Sequence, residues 1–353
     1  MTTLKTQGKQ PSSIAVVIVS YGHEDILRKL LLSIRSQLLD HDKLVVVDNH
    51  PNKKGALVAR ESGAVDLVVE NVNNGFSSGC NVGANAVREE VEILFFINPD
   101  TEPSDNVISV IRNNQYKYAI TMPLLTLPNG NVNSAGNVVH TSGLSWCAGL
   151  GDDCSLHGEE TTLFVASGAC LAVSVEWWNK LGGMEERYFM YYEDTDFSTR
   201  AILLGGSIGL LPEARVVHDY EYQKGSYKWF YLERNRLLYI VRCWPAGIIT
   251  VLLPQLLIVE IALWGVAVIQ KRFRLKLKSF MYMLKELPFA FRTRLQIQNS
   301  RVINSKDFYE TLASDINNPS LGSISNNVFV NSLFATYYNL AGVIIGVFSH
   351  SKS

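Results

Sequence analysis

From residue 14 onward, short β-branched runs alternate with stretches whose apolar residues recur every three to four positions: residues 14–19, then 25–38, then 44–47. That alternation predicts a strand–helix–strand rhythm. It continues through residues 67–69, a helical pattern over 78–88, and the run 93–97. The apolar residues of these strands are continuous rather than alternating, as expected where helices cover both faces of a parallel sheet. The first hundred residues therefore predict an open, doubly wound α/β sheet, whose ligands sit beyond the carboxyl ends of the strands. Residues 124–163 are rich in Gly, Asn, Ser and Asp and predict loops and short strands over a site; helical pattern returns at 175–181 and 194–204. After Arg236 the chain turns to long apolar runs and basic residues. This organisation predicts a polar, disordered tail at 1–12, an α/β domain at 13–240 and a helical, membrane-associated region at 241–353.

Four polar clusters follow the predicted strands: Ser20-Tyr21, Asp48-Asn49, Asn74-Gly75-Phe76 and Asn98-Pro99-Asp100-Thr101. Each alone is an ordinary strand-ending turn. Recurring at successive strand ends, they suggest a nucleoside pocket, with Asp48 able to accept hydrogen bonds from a base or ribose and Tyr21 offering an aromatic face. Gly75, Gly79 and Gly83 enter a helix at intervals of four, either to let a ligand approach the backbone or to let the helix pack tightly on the sheet, the reading that suits Gly83. Asp100, rigidified by Pro99, suits Mg²⁺ or Mn²⁺, and His218 is a candidate second ligand, although a lone histidine is more often structural.

The net charge of −1 at pH 7 disfavours nucleic acid as a partner, because such proteins carry a strongly basic footprint. The five cysteines form no C-x-x-C pair and predict reduced thiols. The polar start lacks an apolar signal segment, which predicts a cytoplasmic location for the N-terminal half.

The densest chemistry lies in residues 188–200, where Glu193, Asp194 and Asp196 open a helical pattern directly after the aromatic run Tyr188-Phe-Met-Tyr-Tyr192. Acidic residues cap helix N-termini, but desolvation by aromatic neighbours also raises a carboxyl pKa towards the range a general base needs. In order along the chain stand Val19-Ser-Tyr21, Val47-Asp-Asn49, Asn74-Gly-Phe76, Asn98-Pro-Asp-Thr101, Ser167-Gly-Ala169, Glu193-Asp-x-Asp196, His218 and Glu233-Arg-Asn235. This series resembles the family 2 glycosyltransferases of the GT-A fold, and most nearly a bacterial rhamnosyltransferase-like branch that builds cell-surface polysaccharide. Asn98-Pro-Asp100 stands where that family commonly has Asp-x-Asp, so one expected acidic contact is an amide.

The resemblance implies a nucleotide-diphospho-sugar transferase fold: a Rossmann-like mixed sheet flanked by helices. Donor contacts would come from Ser20, Tyr21, Asp48, Asn74, Gly75, Phe76, Asn98 and Arg234, the last neutralising the departing diphosphate. Asp100 and His218 would hold Mg²⁺ or Mn²⁺, and Asp194 would be the general base, with Glu193 and Asp196 supporting it or touching substrate. The donor would be a UDP- or dTDP-sugar, with rhamnose one candidate, and the acceptor a glycan on a polyprenyl diphosphate at the cytoplasmic face of the cell membrane. A non-catalytic nucleotide-sugar-binding module is the alternative; the joint presence of Asp100, Asp194 and His218 speaks against it.

Residues 244–269 are almost wholly apolar apart from Pro254 and Glu260, long enough to span a bilayer. Basic residues lie on both flanks, which favours a Pro-broken re-entrant or interfacial hairpin over one crossing. A basic surface helix ending at Pro288 is expected next, and a second, polar-diluted apolar run occupies 328–348. A buried helical subdomain or a dimer interface is the other reading of this tail, so oligomerisation stays open.

Overall fold

The computed structural model describes residues 11–22, 24–219, 225–316 and 327–350; most of the predicted polar tail lies outside them. The chain begins β1 (Ile14–Ser20), α1 (Glu24–Arg35), β2 (Lys43–Asp48), α2 (Lys54–Ser62), β3 (Leu67–Glu70), α3 (Phe76–Val87) and β4 (Ile93–Ile97). In α1 the apolar spacing turns Leu27, Leu30, Leu31 and Ile34 into the core, while Glu24 and Asp25 sit in the first turn, where the helix dipole favours acids. Strands β1, β2, β3 and β4 pair in parallel, with β1 between β2 and β4. The doubly wound arrangement expected from the continuous apolar strands is present.

Beyond β4 come β5 (Thr101–Pro103), α4 (Val107–Asn114), β6 (Ile120–Thr126), β7 (Val132–Ser134), β8 (Asn137–Val139), β9 (Ser145–Cys147), β10 (Thr161–Leu163), β11 (Cys170–Ser174), α5 (Val175–Leu181), α6 (Glu193–Leu203) and β12 (Ile208–His218). Strand β11 runs antiparallel to β4, so the sheet is mixed, in the order β10-β12-β6-β11-β4-β1-β2-β3. Two consequences position the site. The residues just before β11 lie at the carboxyl end of β4, and the pairing of β12 with β5 sets His218 opposite Thr101.

The tail is helical: α7 (Ser226–Cys243), α8 (Ala246–Ile269), α9 (Phe273–Ser300), α10 (Ser305–Glu310) and α11 (Val328–His350). Helix α7 runs unbroken through residue 240, where the compositional boundary falls. A second core joins both sides of that point, packing Tyr188, Tyr192 and Leu203 with Leu238, Tyr239, Trp244 and Phe308. The compositional shift therefore marks a change in surface chemistry within continuous packing. Pro288 does not end its helix as expected, since α9 passes through it to Ser300, and Pro254 likewise sits inside α8. Packing along α7 holds α9 together across a residue that removes one helical hydrogen bond.

His140 lies where the two halves meet. Its buried ring packs edge-on against Phe334 of α11, 4.8 Å between centroids, and its Nδ1 accepts the Ser142 N–H at 3.1 Å. Burial lowers its pKa from 6.5 to about 4, so the unfolded chain binds the extra proton first. Stability tied to this ring is complete above pH 6.5 and is lost progressively as pH falls towards 4, by up to about 3 kcal/mol. Thermal unfolding between pH 6.5 and 4 should have a shallower slope in His140→Gln than in the parent; equal slopes would refute the assignment.

Candidate active site

The parallel register brings Ser20 level with Asp48 at the ends of β1 and β2, and Asn49 donates its N–H to the Ser20 carbonyl at 2.9 Å. Asp48 is fully buried. Its Oδ1 accepts the His50 N–H at 2.8 Å and its Oδ2 the Ala56 N–H at 2.7 Å, in the first turn of α2. Gly55 permits this approach, because a Cβ there would lie 2.7 Å from Ser20 Oγ. At the rim Tyr21 is 52% exposed, and its ring meets that of His50 at 4.8 Å. His50 was not among the residues singled out in the sequence; only the alignment of β1 and β2 brings it beside Tyr21.

The side chain of Asn49 donates to the Gly75 carbonyl at 3.0 Å, tying this end of the sheet to the Asn-Gly-Phe turn. Asn74 is exposed and Phe76 half-buried there. Gly75 has φ of 99°, and a Cβ on it would lie 2.2 Å from the Phe189 carbonyl oxygen, which also accepts the Phe76 N–H at 2.7 Å. The backbone that approaches Gly75 is thus the aromatic run, which corrects the expectation of a ligand there. A Cβ on Gly79 would lie 2.6 Å from the Val19 side chain and one on Gly83 2.4 Å from that of Val17, tight helix-on-sheet packing as expected for Gly83.

At the end of β4, Asn98 donates its N–H to the Ala169 carbonyl at 2.9 Å. Next along the same segment, Gly168 donates its N–H to Asp194 Oδ2 at 2.8 Å. Ser167-Gly-Ala169 thereby links the Asp100 turn to the acidic cluster. Asp100 Oδ1 and His218 Nε2 lie 3.6 Å apart, brought together by the β5–β12 pairing. A carboxylate oxygen and an imidazole nitrogen at this separation suit one Mg²⁺ or Mn²⁺, whose remaining positions are commonly filled by phosphate oxygens and water. Among the described residues no group of three or more His, Cys, Asp or Glu gathers for a metal, so the substrate would have to complete such a site.

Helix α6 begins with the acidic cluster, after a turn in which Phe189, Tyr191 and Tyr192 have φ of 66°, 65° and 71°. Bulky residues in the left-handed region store strain and persist only where their surroundings hold them. The hold comes from α7. Asn235 Nδ2 lies 2.7–3.0 Å from the carbonyls of Tyr188, Met190 and Tyr191, and Arg234 Nη2 donates to those of Arg187 and Tyr188 at 2.7 Å each. Arg234 Nε donates to Asn235 Oδ1 at 2.7 Å, and the guanidinium stacks on Tyr231. Arg234, expected against the diphosphate, is instead bonded to the strained turn, because the two carbonyls lie within reach of its fork.

The three carboxylates differ sharply in surroundings. Asp194 is partly exposed, with Oδ2 on the Gly168 N–H and Oδ1 accepting from the Thr195 N–H at 2.7 Å and Oγ1 at 3.2 Å. Burial raises its pKa, and those donors restrain the rise. Glu193 is buried, its Oε2 without a hydrogen-bond partner, and burial followed by the charge of Asp194 pushes its pKa well up. Burial favours the protonated form more strongly at Glu193, while the Gly168 and Thr195 donors favour the carboxylate at Asp194. Asp196 has no free oxygen: Oδ1 accepts from Arg200 Nε at 2.6 Å, and Oδ2 from Arg242, from Tyr188 OH at 3.0 Å and from Cys243 Sγ at 3.0 Å. Both oxygens of Asp196, expected to support Asp194 or touch substrate, are bonded between α6 and α7.

Comparison with known proteins bears on the fold and the family resemblance. The family described as Glycosyl transferase family 2 matches residues 15–151. The low-salt glycan biosynthesis hexosyltransferase Agl10 of Haloferax volcanii is 25% identical over 252 residues, 67% of this chain and 78% of that protein. Rhamnosyltransferase WbbL of Escherichia coli K12 is 24% identical over 253 residues, 64% of this chain and 94% of that protein. An N-acetylglucosaminyl-diphospho-decaprenol L-rhamnosyltransferase of Mycobacterium tuberculosis is 39% identical over 59 residues, 17% of this chain and 19% of that protein. Among solved structures, GalNAc-T7 with UDP, GalNAc and Mn²⁺ superposes with a TM-score of 0.52 at 17% identity over 66% of this chain. The chain spans 49% of that protein's length, and the likeness shows the expected fold.

Proposed function

We propose that this chain, whose residues 15–151 match the family 2 glycosyltransferases and whose fold is that of GT-A enzymes, is a glycosyltransferase that transfers a sugar, with inversion, from a UDP- or dTDP-sugar to a glycan carried on a polyprenyl diphosphate. The single observation supporting this reading is the pair of hydrogen bonds Asn98–Ala169 and Gly168–Asp194, which ties the Asp194 carboxyl to the carboxyl end of β4, two residues before the Asp100–His218 pair. Rhamnose as the sugar and a polyprenyl-linked acceptor are supported by what WbbL and the mycobacterial relative are named for. Work at a membrane is supported by the two helices, among the described residues, long and apolar enough to cross one, and its cytoplasmic face is where the nucleotide-sugar donor of this reading would be met.

In this reading Ser20, Tyr21 and Asp48 receive the nucleoside, with His50 completing the rim, and Asn74, Phe76 and Asn98 line the cleft. Asp100 and His218 hold Mg²⁺ or Mn²⁺, which when bound neutralises charge on the leaving diphosphate. Asp194 takes the proton from an acceptor hydroxyl as its oxygen bonds to the anomeric carbon and the bond from that carbon to the diphosphate breaks. Glu193, keeping its proton, leaves the charge localised on Asp194. Arg234 and Asn235 act by holding the turn that aims it.

Titration of UDP and dTDP into the protein with and without Mn²⁺ tests the donor and metal assignments together. Binding of one nucleotide should tighten with the ion, and Asp100→Ala should weaken that ion-dependent binding roughly tenfold or more. Failure of a panel of UDP- and dTDP-sugars to bind at all would overturn the reading.

A further inference from the structure

Helix α8 passes the length and composition test for a membrane crossing, yet its contacts describe a different posture. Its inward stripe, Ile248, Leu252, Gln255, Val259 and Ala267, is buried from the first turn to the last. The polar groups along that stripe bond to the catalytic half. Gln255 Nε2 donates to Thr141 Oγ1 at 2.6 Å; Glu260 pairs with Arg236 of α7 and lies 2.8 Å from Lys276 Nζ of α9, which also pairs with Glu233. Glu260, the charge that interrupts the apolar run, is thus one member of a four-charge network, and α8 packs against α9 and α11 and is tied to α7 by the Arg236–Glu260 pair. A crossing helix needs lipid or other spanning helices around it through about 30 Å of hydrocarbon, whereas this one carries a polar, charge-bearing domain along one side. Lifting it away would strand Glu260 and take a counter-charge from Arg236 and Lys276.

The opposite stripe is open and apolar, including Leu257, Ile258 and Ile261 at 54%, 68% and 71% exposure. Helix α11 extends it with Leu333, Leu340 and Val347, and is joined to α8 by the Tyr337 hydroxyl donating to the Val251 carbonyl at 2.6 Å. The turn between α8 and α9 adds Lys271, Arg272 and Arg274, all exposed, beside the exposed end of the stripe at Val268 and Ile269. An apolar face rimmed by cations fits an anionic lipid surface.

We propose that this protein sits on one leaflet of an anionic bilayer, with α8 and α11 lying in the plane of the membrane and spanning nothing. The inference rests on the membrane-held acceptor of the proposed function, and it fixes the catalytic half on the same side of the bilayer as the helices that hold it there.

The test uses the full chain and preformed vesicles of phosphatidylcholine with or without phosphatidylglycerol. The parent should float with the anionic vesicles and less with the neutral ones. Leu257→Asp combined with Ile261→Asp should lower that partition roughly tenfold or more while leaving transfer to a short soluble acceptor unchanged. A fluorophore attached singly through Leu253→Cys, Ile261→Cys and Ile269→Cys, with quenchers at graded depths in the lipid, should report one shallow depth at all three sites. A deep centre with shallow ends would overturn the in-plane posture and leave membrane binding standing. No binding to either vesicle, with self-association through the same face, would overturn the lipid surface altogether, and the soluble-acceptor assay would still judge the transferase reading separately.

Discussion

Asp194→Asn should lower kcat by roughly 10²- to 10⁴-fold while donor binding stays close to that of the parent. Of the three acids at the head of α6, Asp194 is the partly exposed one, while Glu193 is buried with its pKa pushed well up by burial and Asp196 is bonded through both oxygens. An amide cannot accept the hydroxyl proton, so kcat and kcat/KM should fall together, the pattern for an interaction made in the transition state. The substitution is mild for the fold. One oxygen remains for either the Gly168 or the Thr195 N–H, and the other loses its acceptor, at a cost of about 1 to 2 kcal/mol. In the parent, burial raises the Asp194 pKa above 3.8, so activity should decline on acidification at a pH higher than an ordinary carboxylate would give. Parent-like turnover in the variant, measured with a donor that demonstrably binds, would remove Asp194 from the mechanism.

The largest loss of stability should come from Asp196→Ala, at about 3 to 5 kcal/mol, the usual cost of stripping one partner from a buried ion pair. Arg200 would keep the carbonyls of Leu181 and Gly183, and Arg242 would keep Glu185 at 3.0 Å and Thr293 at 3.1 Å, but both charges would lose their shared counter-ion inside the protein. A loss of that size is a large part of a typical domain's 5 to 15 kcal/mol, so most of the variant should be insoluble when made at 37 °C. Burial alone would raise the Asp196 pKa; the Arg242 and Arg200 guanidiniums more than offset it and hold the carboxyl below its ordinary 3.8. Its contribution is therefore complete above that pH and fades as the solution becomes more acid. Urea unfolding of Asp196→Asn and Asp196→Ala separates the two possible roles. An unfolding midpoint equal to the parent's, combined with lost turnover, would return Asp196 to the catalytic group.

The same network explains why residues beyond 240 cannot be treated as a detachable anchor. Arg242 and Cys243 both bond to Asp196, and Trp244 is fully buried in the core that also holds Tyr188 and Tyr192. Point substitutions on the outward face of α8 probe membrane binding without opening that core. The candidate residues could be named from the chain itself: Asp100 because it follows Asn98-Pro99 after the five apolar residues of β4, and Asp194 because acids seldom follow so many aromatics. Nothing local says that the partners of Arg234 are the Arg187 and Tyr188 carbonyls or that Arg242 pairs with Asp196.

What the chain determined by itself was the order of strands and helices, the mixed chemistry at the strand ends and the two apolar runs of the tail. Those features are written in periodicities of two to four residues and in neighbouring side chains, which act before any distant contact forms. The tertiary structure alone decided which of the three acids at the head of α6 stays partly exposed, which arginine clamps a strained turn, and that Glu260 faces Arg236 and Lys276 instead of lipid. Hydrogen-bond partners and desolvation set those outcomes, and both come from residues that meet only when β11 lies against β4 and α7 closes over the head of α6.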